Sequence, residues 1–129
     1  MNYGKFCEDI LNLNESIRMV LLCTKEGDIV GVESKMSDKL PLPPQQQIPE
    51  LIMKSLIRLN ILKTLEESLG KVIYSFTEFE KIKGTAVMLG SYVQDPFLQD
   101  CVLMLSFGKE SDHCKIMEEQ LFPFLKKTQ

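Results

Sequence analysis

The sequence predicts an α+β domain, a five-stranded antiparallel sheet flanked by helices in the order α-β-β-α-β-β-β-α. Three observations carry this expectation. Two apolar runs joined by a short polar turn with a glycine read as a hairpin near the start of the chain. A long segment of helical spacing then occupies the middle. Three further apolar runs and a final amphipathic segment follow it. Strands linked by turns rather than by helical crossovers pair antiparallel, with the helices packed against the sheet they form.

The elements follow in order. Residues 3–13 carry Tyr3, Phe6, Cys7, Ile10, Leu11 and Leu13, whose offsets of three, four, seven and eight describe one face of a helix. Ile17 to Cys23 is a nearly unbroken apolar run, as in a strand covered on both faces. Thr24-Lys25-Glu26-Gly27-Asp28 turns the chain, with Gly27 supplying a positive φ, and Ile29 to Val32 returns as the second strand. Residues 33–47 hold Pro41, Pro43, Pro44 and three consecutive glutamines and read as a loop. Pro49 then suits a first helical position, where its missing N–H is not needed.

The spacing predicts a helix from Glu50 to Leu69, ended by Gly70. Val72 to Phe79, Gly84 to Leu89 and Cys101 to Phe107 supply three more strands, with a loop around Asp95-Pro96 before the last. Ser111 is the expected cap of a closing helix, with Asp112 near its positive end. Cys114, Met117, Leu121, Phe124 and Leu125 line its apolar face, and Pro123 kinks or shortens it.

The bulk figures agree with one domain spanning residues 1–129. A chain of 129 residues, 44% hydrophobic and 26% charged, has the size and composition of a globular domain that needs no metal or disulfide staple. A net charge of −3, with basic residues scattered, argues against nucleic-acid binding. The first residues lack the pattern of a signal peptide, and no apolar run approaches a membrane span. A cytoplasmic location is expected, with Cys7, Cys23, Cys101 and Cys114 as four buried free thiols.

Parts for catalysis are scarce, and no enzyme activity, cofactor or metal is expected. The single histidine, His113, adjoins Cys114, but neighbouring helical residues point about 100° apart and do not pair by themselves. Cys7 could face His113 if both terminal helices cover one side of the sheet; a histidine in the first turn of a surface helix is the plainer account. Asp112, His113 and Glu118 complete no ligand set of recognisable spacing. The glycines form no phosphate cradle. Glu78 and Glu80 read as a solvated strand edge rather than an acid–base couple.

The long helix carries more apolar residues than one stripe needs. Leu51, Ile52, Leu59, Leu62 and Leu69 span one side, while Met53, Ile57 and Ile61 recur at intervals of four on another. A second stripe asks for a cover, and a partner chain is the natural one. In the following strand Tyr74 and Phe76 share a face. Met53, Ile57, Ile61, Tyr74 and Phe76 are therefore the expected dimer interface, with a core role as the plain alternative. Two-fold dimers are the commonest oligomers.

IRMVLLCTKEGDIVGVES, GKVIYSFTEFEKIKGTAVMLG and CVLMLSF with its closing helix resemble, respectively, the first hairpin, the third and fourth strands and the close of the roadblock domain, within the profilin-like group. The resemblance spans nearly the whole chain, although residues 37–48 and SYVQDPFLQD are longer than in a compact roadblock domain. It implies a long helix on one face of the sheet and the terminal helices on the other. It also implies dimers joined through long helices and third strands, working as regulators or scaffolds of small Ras-like GTPases or as light chains of larger assemblies. The competing expectation is a small-molecule sensor, with methionines such as Met19, Met88 and Met104 lining an apolar pocket between sheet and helices.

Overall fold

The computed structural model describes residues 1–35 and 44–128. Most of the expected proline-rich loop, including Pro41 and Pro43, lies outside them. Five strands, β1 Ile17–Thr24, β2 Ile29–Ser34, β3 Tyr74–Glu78, β4 Ile82–Met88 and β5 Cys101–Gly108, form one sheet. Its order is β2-β1-β5-β4-β3, antiparallel at every pairing. The last strand in sequence is thus the central one. All of β5 except Gly108 is buried, which is why CVLMLSF carries so few polar residues.

Alternation along the strands builds two cores. Val20, Leu22, Val87, Leu103, Leu105 and Phe107 face a layer made by α1 (Tyr3–Leu11) and the C-terminal helical segments. Leu21, Cys23, Ala86, Val102 and Met104 face the long helix α2 (Ile48–Lys63) through Ile52 and Leu59. The α1 helix starts at an Asn2 cap, whose side chain accepts from the Lys5 amide at 3.0 Å. The hairpin turn places Gly27 at φ 96°, as its sequence requires.

Four details depart from the sequence expectation. The long helix is broken at Thr64–Leu65: the Thr64 hydroxyl and amide both donate to the Ile61 carbonyl, tightening the turn before a short α3 (Glu66–Leu69) resumes. Gly70, φ 89°, closes that second piece. The segment around Asp95 is ordered as α4 (Pro96–Gln99), with Asp95 accepting from the Phe97 and Leu98 amides and Leu98 driven into the core. Asp112, not Ser111, caps the last helix; it accepts from the Lys115 amide, while the Ser111 hydroxyl donates to the Gly108 carbonyl.

The fourth departure concerns Pro123. After α5 (His113–Ile116) the chain makes a π-helical stretch, Met117–Leu121, and then restarts as α6 (Phe122–Lys126). Proline thereby falls in a first turn, where no N–H is needed. The expected kink is this π-turn.

Candidate interaction surface

The α2 helix stands on the sheet through Ile52 and Leu59, and the rest of its surface sorts by angle from them. At 3.6 residues per turn, Leu51, Ser55, Arg58 and Leu62 look toward the β3 side. Arg58 confirms the direction, its guanidinium donating to Thr77 Oγ1 in β3 at 2.7 Å. Met53, Ile57 and Ile61 turn the other way and outward, and are 61%, 52% and 64% exposed. Leu65, Leu69, Ile73 and Phe79 are exposed as well. Large apolar side chains are thus open to solvent on α2, on and beside α3 and at both ends of β3. Exposed apolar surface of this extent marks an interaction site more often than a free surface.

The β3 strand adds an edge. Among the described residues it pairs only with β4, and its outer backbone groups have no partner strand there. Its side chains alternate: Ser75 and Thr77 look toward α2, and Tyr74 and Phe76 look to the opposite face. There Tyr74 packs 6.1 Å from the Phe122 ring, and Phe76 stacks on His113 at 3.8 Å with the planes 3° apart. The five residues singled out in the sequence are therefore not one patch. Met53, Ile57 and Ile61 form an exposed stripe, whereas Tyr74 and Phe76 are half-buried against the C-terminal segments, behind the same edge strand.

Between α2 and the β3–β4 side of the sheet lies a groove of about 730 Å3. Met19, Leu21, Ala86 and Met104 form its floor, and Ser75, Thr77 and Ser106 bring hydroxyls to it. Lys54, Arg58 and Lys81 stand at its rim with Glu50 and Glu80. Lys54 is neutralised by Glu50 at 2.7 Å. Arg58 has no carboxylate within ion-pair distance among the described residues.

His113 is half-buried on Phe76, not free on a surface helix. Burial, and after it the Lys83 ammonium, pushes its imidazole below the ordinary histidine value. Although adjacent on the helix, His113 Nε2 and Cys114 Sγ approach to 3.5 Å. No side chain among the described residues hydrogen-bonds the other ring nitrogen, so the third member of a nucleophile–base–orienting arrangement is missing. Cys114 is exposed, against the expectation of four buried thiols; Cys7, Cys23 and Cys101 are buried. Cys7 sits against Gly31, where an added Cβ would lie 3.0 Å from its sulfur. Among the described residues no three His, Cys, Asp or Glu side chains gather to hold a metal ion, and no helix is long and apolar enough to cross a membrane.

No protein-family model and no curated protein matches the sequence. Solved structures do match the fold. The Roadblock/LC7 domain from Streptomyces avermitilis superposes with a TM-score of 0.69 at 12% identity, over 98% of this chain and 93% of that one. The gliding protein MglB from Thermus thermophilus gives 0.67 at 14% identity, over 95% and 82% of the two chains. MglB from Myxococcus xanthus gives 0.65 at 14% identity, over 96% and 91%. The superpositions span nearly the full length of this chain, and the chain has the fold of the Roadblock/LC7 domains.

Proposed function

We propose that this chain is a homodimeric, non-catalytic interaction module of the cytoplasm that regulates or scaffolds a small Ras-like GTPase or a larger assembly. The observation that carries the reading is the exposed stripe of Met53, Ile57 and Ile61 on a helix already seated on its own sheet by Ile52 and Leu59. A monomer gains nothing from three large side chains held in water; a second copy on a two-fold axis covers both stripes at once. The open edge of β3, backed by Tyr74 and Phe76, offers unpaired backbone groups to a partner strand. The GTPase comes from the resemblance to roadblock domains, and by the same resemblance the chain would shape another protein's site without supplying a catalytic residue.

Light scattering on the wild type and Ile57→Asp tests the module. The wild type should have twice the 14.8 kDa chain mass, and the variant should be a folded monomer. A monomeric wild type would remove the basis for self-association. A variant that stays dimeric would move the interface off the stripe.

A further inference from the structure

We propose that Arg18, near the start of β1, is a binding site for a phosphate group, free or esterified, and that Lys35 at the end of β2 adds its charge to it. The site is built on β1, β2 and β5 and uses neither the α2 stripe nor β3.

A bulge and a glycine hold the guanidinium. The register of β1 against β5 slips between Ile17 and Met19, so Arg18 is an extra residue with no partner opposite. Bulges of this kind re-aim the side chain they carry. Here the guanidinium comes to lie over Gly108 of β5. A Cβ built on Gly108 would stand 3.0 Å from Arg18 Nη2, 3.2 Å from Nε and 3.5 Å from Cζ. Gly108 has no positive φ, so its backbone conformation does not call for glycine. The space left by the missing side chain is the space that the guanidinium uses.

The group held there is short of partners. Arg18 is half-buried, and its Nε is buried with no hydrogen-bond partner among the described residues. A buried donor left in this way calls for an acceptor. Its neighbour on the adjoining strand is a second cation. The Lys35 amide donates to the Arg18 carbonyl at 2.9 Å, and the Lys35 ammonium donates to the Asn14 carbonyl at 2.8 Å. Burial, and after it the Arg18 charge, holds that ammonium below the ordinary lysine value; Glu15 acts the other way, less strongly. Two cations thus stand in each other's field, and neither is in an ion pair among the described residues. A planar guanidinium fixed in one orientation suits an oxyanion, two N–H groups meeting two oxygens. The added charge of Lys35 favours a doubly charged phosphate over a carboxylate.

Calorimetric titration of the full chain with inorganic phosphate, and with acetate at the same ionic strength, tests the site. Phosphate should bind saturably with one site per chain and raise the Tm, and acetate should bind about tenfold more weakly. Arg18→Gln should lower phosphate affinity about tenfold, the loss expected for a charge-assisted hydrogen bond. Lys35→Gln should lower it less, by about threefold. Gly108→Ala alters no charge, yet should weaken phosphate binding by crowding the guanidinium. Tighter binding of O-phosphoserine than of inorganic phosphate would assign the site to esterified phosphate, and the reverse order to the free ion; either supports it. Absence of saturable binding, equal affinity for acetate, or wild-type affinity in Arg18→Gln or in Gly108→Ala would overturn the proposal. If Arg18→Gln does not fold, Gly108→Ala and Lys35→Gln decide. The Ile57→Asp result, and with it the dimer, stands or falls separately.

Discussion

Thr85 sits in β4 between Phe76 and Leu105, its Oγ1 buried and without a hydrogen-bond partner among the described residues. A buried hydroxyl left unpaired forfeits its hydration, so Thr85→Val, nearly the same shape, should stabilise the fold by about 1 kcal/mol in urea denaturation. A loss of stability of that size would mean the hydroxyl has a partner after all. His113, the one histidine, offers a direct check on the Phe76 stack by NMR titration. Its pKa should lie below the ordinary value and rise toward it in Phe76→Ala, as water reaches the ring. The apolar identity of Met53, Ile57 and Ile61 and their common spacing were legible in the sequence. The stacking of Phe76 on His113 was not, because it joins residues from an edge strand and a terminal helix that only the sheet order brings together.

At the scale of elements, every strand was legible and most boundaries held to within two residues, because alternation and apolar runs report burial directly. The misses share a cause: local hydrogen bonding that overrides apolar spacing. The break in the long helix at Thr64 comes from a side chain bonding its own backbone, which periodicity does not register. Helix α4 is too short for any period, yet its Asp95-Pro96 start was the one signal present, a cap followed by a first-turn proline. Gly70 was read correctly as the stop. Its φ of 89° is the only demand on it, since nothing lies within 4 Å of a Cβ built there. Gly70→Ala should therefore cost about 1 kcal/mol of stability through backbone conformation alone. A midpoint unchanged from wild type would show that the chain relaxes at this cap, and that the α3–β3 connection does not hold the edge strand in place.

For the whole molecule, the two-core architecture couples stability to pH through buried sulfur. Cys7 lies in the core under α1 and Cys23 in the core under α2, both without exposure. Burial, with a smaller contribution from Glu33 at Cys7 and from Cys101 at Cys23, pushes each thiol from 9.0 to about 11. An unfolded chain loses these protons near pH 9 while the folded one keeps them until about pH 11. Over that interval the unfolded state binds fewer protons, so stability falls as pH rises. The contribution is full below pH 9 and gone above the folded value, with a loss on the order of 2 kcal/mol per thiol. Urea denaturation at intervals from pH 8 to pH 11 should show this decline. The Cys7→Ala/Cys23→Ala double variant should be less stable at pH 8, having lost packing in both cores, yet follow a flatter line above pH 9. Parallel lines for the two proteins would place the alkaline sensitivity elsewhere, with Tyr3, Tyr74 and Tyr92 next to examine, since burial raises all three. The sequence-level reading of these cysteines as small hydrophobes holds for the two that anchor the layers. It fails at Cys114, which is exposed beside the half-buried His113.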